Sequence, residues 1–257
     1  MGHSRYDSLP KTKQWRDVLE AFTRFDSTDE ELISSTLRAA ESGLRGSQND
    51  PYLSSSCWLL LQLPLLASSN KLEDWLETTG GSSTGEPRRD LLTGARKFFD
   101  QLGTLTPRRN ILSETARLSF FETLTTAFKD ANLVLFGSAQ EEVRKALARY
   151  ASPDGFQLLV GSFFKAFLNR SLSNLIEKEL PNHVGVSEPF STSEDTRAFE
   201  KALHEYCQEA TALLADYSRD WYAKHAIHER PNEKATRAFA AYAVKKLLEE
   251  FERESVE

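Results

Sequence analysis

Leucine dominates the apolar side chains of this 257-residue chain. It stands at 35 positions, whereas valine and isoleucine together occupy 12. Leucine loses little rotamer freedom in a helix and the β-branched residues favour strands, so this imbalance predicts helices rather than sheets. We therefore expect an all-α fold: a multi-helix bundle that can divide into two or three helical subdomains, with no significant sheet. Parallel-sheet nucleotide-binding folds are disfavoured on the same ground.

Capping signals and apolar spacing indicate where helices begin. Three serines precede a glutamate by three residues, which is the pattern of an N-terminal capping box: Ser27, Ser138 and Ser191. A wide apolar face predicts a central helix over residues 153–179, covered on most sides. A narrower stripe predicts one continuous helix over 194–224, and a last helix over 232–253 is expected to be its antiparallel neighbour.

Cysteine usage and apolar runs limit the class of protein. Cys57 and Cys207 are the only two cysteines, and their wide spacing gives neither a disulfide framework nor a metal cluster. The longest apolar run, residues 57–67, is far shorter than the roughly 20 residues that cross a bilayer. No secretory signal is recognisable at the N-terminus. We therefore expect a soluble, cytoplasmic protein with no membrane contact.

Charge is unevenly distributed along the chain. Residues 1–87 carry 8 basic and 13 acidic side chains, residues 88–187 carry 14 and 10, and residues 188–257 carry 10 and 15. The two boundaries fall in segments rich in Gly, Pro and Ser. These features predict an acidic N-terminal helical subdomain (1–87), a basic central helical region (88–187) and a C-terminal antiparallel helical hairpin (188–257).

Four side chains form an H-x2-C…H-x2-H pattern of residue types that suit zinc: His204, Cys207, His225 and His228. On one continuous helix, Cys207 and His225 would lie about 27 Å apart at the usual rise per residue. Ligands of one zinc ion must each lie about 2 Å from it. We therefore expect no metal site, and nothing else in the sequence indicates a cofactor.

Catalytic signatures are sparse. The Walker, dinucleotide-binding and HExxH patterns do not occur, so the sequence favours a non-enzymatic role. His183 is the histidine in a Pro-rich loop, where a functional role competes with a turn or capping role. An enzyme with an all-helical site around His183 or His225 is the alternative.

The central region concentrates positive charge. Its candidate partner or phosphate contacts are six cations: Arg88, Arg89, Arg96, Lys97, Arg108 and Arg109. Such a cluster suits nucleic-acid phosphates, whose neutralisation releases counterions. The chain as a whole has a net charge of −6, however, and no recognisable nucleic-acid motif. The alternative is that the basic region docks on the two acidic regions of the same chain, or on an acidic partner.

Aromatic side chains are abundant near the C-terminus. Trp221 and Tyr222, next to Arg219, combine the residue types that dominate protein interfaces. Core packing is the alternative for the two rings. Together these features predict a non-catalytic helical interaction or scaffold subunit of a larger intracellular assembly with protein partners. An accessory nucleic-acid-binding subunit that uses the basic central region is the alternative.

Overall fold

The computed structural model describes residues 13–24, 27–81, 85–106, 110–129, 138–176, 192–228 and 232–254. These residues form eleven helices and no strand, which confirms the all-α multi-helix bundle. In chain order the helices are α1 (Lys13–Thr23), α2 (Asp29–Ser47), α3 (Pro51–Ser68), α4 (Leu72–Thr79), α5 (Pro87–Leu105), α6 (Ile111–Lys129), α7 (Ala139–Ala148), α8 (Pro153–Ile176), α9 (Ser193–Ala212), α10 (Leu214–His228) and α11 (Glu233–Glu254). Among these helices, none has the length and apolar composition needed to cross a membrane.

Helices α3 and α8 lie at the centre of the bundle. Helix α3 packs against α6, α7, α8 and α11, and α8 also contacts α6, α9 and α10. Both helices are apolar around most of their circumference, so neighbouring helices can cover most of their surfaces. Side chains such as Leu60 and Phe163 are fully buried. The expectation of a central helix from residue 153 is confirmed over the described length of α8.

One continuous core joins side chains from all three charge regions, among them Leu60, Phe163 and Phe239. Aromatic rings form much of it: the ring centroid of Phe156 lies 5.2 Å from that of Tyr222 and 5.6 Å from that of Phe239. The division into subdomains stays a prediction, because its second boundary, at residue 187, lies outside the described residues.

Two helix starts are one residue later than the capping pattern predicts. Helix α2 is capped by Thr28 rather than Ser27, and α9 by Thr192 rather than Ser191. Both segments contain overlapping boxes, so local sequence permits either start. In α2 a contact with the preceding helix accompanies the later start, because the Ser27 hydroxyl donates to the carbonyl of Ala21 at 2.7 Å. The third box caps α7 at the predicted serine.

The single helix predicted over 194–224 is wrong. Helix α9 ends at Ala212 and α10 begins at Leu214, with a turn at Leu213. The break lets α9 pack on α8 and α11 while α10 packs mainly on α8, and Leu214 is fully buried beside it. The last helix, α11, packs mainly on α2 and α3. It meets α10 only over a short stretch, so the contact expected between the last two helices is a minor one.

A buried carboxylate connects the start of α3 to α6. Asp50 accepts hydrogen bonds from the backbone N–H groups of Tyr52 at 2.8 Å and Leu53 at 3.1 Å. Its second oxygen accepts a 2.6 Å hydrogen bond from the hydroxyl of Ser113. Because both oxygens have donors, burial of the carboxylate is compensated, and the N-terminal end of α6 is held in place.

Candidate interaction surface

Helix α5 carries four of the six cations predicted to contact a partner. On one side, Leu91, Ala95 and Phe99 are fully buried against α3, α4 and α7. Four cations of α5 are exposed, and we call them the basic face of α5: Arg88, Arg89, Arg96 and Lys97. At 3.6 residues per turn, Arg89 and Arg96 share one side of the helix, whereas Arg88 lies at its start in line with the apolar stripe. The spacing of apolar and charged residues thus makes α5 an amphipathic helix whose charged side meets solvent.

Gly94 sets the close approach of α5 to α4. A Cβ atom at this position would lie 3.0 Å from the Oγ1 atom of Thr79, 3.1 Å from Cδ2 of Leu76 and 3.2 Å from Cζ3 of Trp75. These distances are shorter than ordinary carbon contacts of about 3.5 to 4.0 Å, so the absence of a side chain allows the two helices to pack. The backbone beneath the basic face is therefore firmly held.

The arginines of the basic face lack ionic partners among the described residues. Arg89 and Arg96 form no salt bridge or hydrogen bond there, and the guanidinium of Arg88 lies over the ring of Phe128, 5.8 Å from its centroid. Arg96 follows the two other arginines by two helical turns, about 11 Å along the axis. Planar guanidinium groups at this spacing can each bind a carboxylate or a phosphate in bidentate fashion.

Two neighbouring cations are already engaged. The ammonium group of Lys97 donates a hydrogen bond to the carbonyl of Gly80, in the turn that ends α4. Arg117 on α6 forms a bidentate pair with Glu114 at 3.0 and 2.5 Å, and this pair raises the pKa of Arg117. In this region, the positive charge without an ionic partner among the described residues therefore lies mainly on the three arginines of α5.

The acidic residues of α5 do not neutralise its basic face. Asp90 is buried on the inner side of the helix. Asp100 is exposed towards the other end of the helix, where it interacts electrostatically with Arg117. The outer side of the first half of α5 is therefore a compact cationic surface, suited to an anionic partner.

The second predicted interface is largely buried. Trp221 is 9 % exposed and Tyr222 is 4 % exposed, and both rings pack on Phe156. Burial also raises the pKa of Tyr222. These observations favour the core-packing interpretation of the two rings. Arg219 remains at the surface, where it forms a 3.1 Å salt bridge with Asp154.

The break between α9 and α10 does not bring metal ligands together among the described residues. These residues contain no group of three or more His, Cys, Asp or Glu side chains placed to hold an ion. Cys207 is buried, and burial raises the pKa of its thiol to about 12. His204 is exposed. The ring of His225 stacks on Trp221, and its Nδ1 atom lies 2.9 Å from the carbonyl oxygen of the same residue. The side chain of His228 lies outside the described residues.

Three predicted site residues also lie outside the described residues: Arg108, Arg109 and His183. The contacts expected of the two arginines, and the loop site expected around the histidine, stay predictions. The same holds for an enzymatic site centred on that loop.

Sequence reasoning missed the grooves that the described helices leave between them. One, of about 440 Å³, lies between α1, α2, α6 and α8. Another, of about 210 Å³, lies between α4, α5 and α7, and a third, of about 510 Å³, lies along α6 and the start of α8. Their walls come from helices far apart in the chain, so no local pattern predicts them. The one available signal for the first groove is a glycine within α2, Gly43.

Comparisons of the chain with protein-family models, with curated proteins and with solved structures give no match.

Proposed function

We propose that this protein is a non-catalytic interaction subunit of a larger protein assembly, and that the basic face of α5 binds an acidic surface of a partner protein. The observation that carries the proposal is the exposure of Arg88, Arg89 and Arg96 without an ionic partner among the described residues. A carboxylate that docks against such a guanidinium excludes water and lowers the local dielectric, which strengthens the interaction.

The packing of α5 supports this role. The buried residues Leu91 and Phe99 anchor the helix, and the close approach at Gly94 fixes it against α4. A partner therefore meets arginines on an ordered backbone, and only their side chains lose freedom on binding. Pre-organisation of this kind favours affinity because less conformational entropy is lost.

The surroundings of two reactive residue types support a non-catalytic role. Burial raises the pKa of the thiol of Cys57 as well as that of Cys207, which disfavours the nucleophilic thiolate. His225 uses its described contacts to hold the end of α10. The proposal places the protein in the cytoplasm, where two unpaired thiols stay reduced.

Capture of partners by the full-length protein, followed by mass spectrometry, tests the proposal. The double variant Arg89→Glu/Arg96→Glu should reduce recovery of the bound partner at least about tenfold, because it reverses charge at the contact. Lys234→Glu/Arg237→Glu is the matched control: it makes the same charge change at exposed cations of α11 that have no ionic partner within the described part of the chain. Equal recovery with both double variants would contradict the assignment of the contact to α5.

Nucleic acid is the second candidate ligand, because the three cations of α5 without an ionic partner among the described residues are all arginines, which bind phosphates well. Fluorescence anisotropy with labelled duplex and single-stranded oligonucleotides, starting at about 50 mM salt where electrostatic binding is strong, tests it. If each arginine neutralises one phosphate of a duplex, the logarithm of the binding constant should fall with the logarithm of salt concentration with a slope of about −3. An absence of binding at low salt excludes this candidate and leaves the acidic protein partner.

A further inference from the structure

The groove of about 440 Å³ lies between the second half of α2 and the helices α1, α6 and α8. Its volume falls within the roughly 300–1,000 Å³ typical of small-molecule sites. Trp15 of α1 and Ile111 and Leu112 at the start of α6 contribute apolar surface, and Asn174 of α8 adds a polar amide. Because the start of α6 is anchored to Asp50, the groove is a feature of the folded protein and not of a free loop.

Two arginines and one glutamate line this groove. Glu41 forms a 2.5 Å salt bridge with Arg45, which also pairs with Glu252 of α11 at 3.1 Å. Arg38 is exposed and has neither an ion pair nor a hydrogen bond with any described residue. Arg45 is shared between Glu41 and Glu252, so among the arginines that line the groove only Arg38 has no ionic partner among the described residues. It lies at the edge of a groove with both apolar and polar walls, and an anionic group can pair with it.

Gly43 leaves the groove open on the side formed by α2. A Cβ atom there would have no heavy atom within 4 Å, so no internal packing requires glycine at this position. Glycine is a weak helix former, and its presence inside α2 therefore has a cost for folding. Gly46, one turn later, has equally open surroundings but does not line the groove.

We propose that this groove binds a small aliphatic carboxylate. Its chain would pack against Trp15, Ile111 and Leu112, and its carboxylate would accept hydrogen bonds from the guanidinium of Arg38. The interaction is noncovalent. It involves no residue of α5, so the groove and the basic face of α5 can be tested, and can fail, independently.

Isothermal titration of the full-length protein with three probes tests the charge requirement. Decanoate carries the proposed anion, decanol has the same chain without charge, and decyltrimethylammonium carries a positive charge. Decanoate should bind at one site, about fivefold more tightly than decanol, as expected for one partly exposed charge contact. Arg38→Gln should remove this preference and leave the affinity for decanol unchanged. Equal binding of all three probes, or no saturable binding of decanoate, overturns the proposal.

Two glycine variants test the location of the site. Gly43→Leu fills the groove and should weaken decanoate at least about tenfold, because the chain would have to displace the new side chain. Gly46→Leu is the matched control and should bind decanoate as the unmodified protein does. Both variants should unfold at a higher temperature, because leucine is the better helix former, which separates occlusion from misfolding. Unchanged decanoate binding by the folded Gly43→Leu variant places the ligand elsewhere and overturns the proposal.

Discussion

Replacement of Gly155 by alanine should destabilise this protein, although the same change usually stabilises a helix. Gly155 lies in the first turn of α8, where the chain returns from α7. An alanine Cβ would lie 2.5 Å from the Cα atom of Tyr150 and 2.6 Å from the carbonyl oxygen of Arg149. Both are backbone atoms, so rotation of a side chain cannot relieve the overlap, and the turn between α7 and α8 has to open.

The expected magnitude is the balance of two effects. The greater helix propensity of alanine contributes about 1 kcal/mol to stability. Overpacking typically costs about 1–3 kcal/mol, and these contacts are about 1 Å shorter than a normal carbon–carbon contact, which favours the upper end of that range. We therefore expect Gly155→Ala to lower the free energy of unfolding by about 2 kcal/mol.

Urea unfolding followed by far-ultraviolet circular dichroism measures this difference. Gly161→Ala, in the same helix, is the control, because a Cβ atom there would have no heavy atom within 4 Å. It should raise the free energy of unfolding by up to about 1 kcal/mol. The steric argument is refuted if Gly155→Ala is as stable as the unmodified protein, or if the two variants change stability in the same direction.

Three further predictions follow from buried or paired groups. Asp50→Ala should lower the free energy of unfolding by about 2–4 kcal/mol, because it removes a helix cap and leaves the buried hydroxyl of Ser113 with only its longer, 3.2 Å hydrogen bond to Asn110; urea unfolding checks this. Thiol reagents should label Cys57 and Cys207 only in the unfolded protein, since burial raises both thiol pKa values; rapid labelling of the folded protein would contradict this. Arg144 lowers the pKa of Glu141 from an ordinary 4.5 to about 2, so the stabilising contribution of this carboxylate is complete above pH 4.5 and is lost as the pH falls towards 2. An NMR titration of Glu141 should show this low midpoint, and Arg144→Gln should return it towards the ordinary value.

The sequence predicted the fold class and several elements well, and the reasons are local. The leucine-rich composition predicts helices because helix propensity is a property of each single residue. The wide apolar face beginning at Pro153 indicates a central helix, and α8 is central. Capping boxes located the starts of α2 and α9 to within one residue, because adjacent Ser and Thr side chains offer equivalent hydrogen bonds.

The break at Leu213 and the packing of α11 could not be predicted in the same way. No Pro or Gly stands near Leu213, so nothing local interrupts the apolar stripe. Helix α11 carries an apolar face that any neighbour could cover, and it packs mainly on α2 and α3. Which partner covers an apolar face depends on the lengths and directions of all the helices together.

The candidate sites, too, could be predicted from the sequence only in part. The cations of α5 can be identified from the sequence. That they lack ionic partners among the residues the structure describes, in contrast to Arg117, is visible only in the structure. Trp221 and Tyr222 have the composition of an interface, yet tertiary packing buries both rings.

The sequence by itself thus determined that this chain forms helices, where several of them begin and which segment is basic, because propensity, capping and charge belong to single residues and near neighbours. Only the tertiary structure decided which aromatic rings are buried, which arginines of α5 have no ionic partner among the described residues and where a groove opens beside Gly43. Those properties depend on residues that are distant in the chain and meet only when the helices pack.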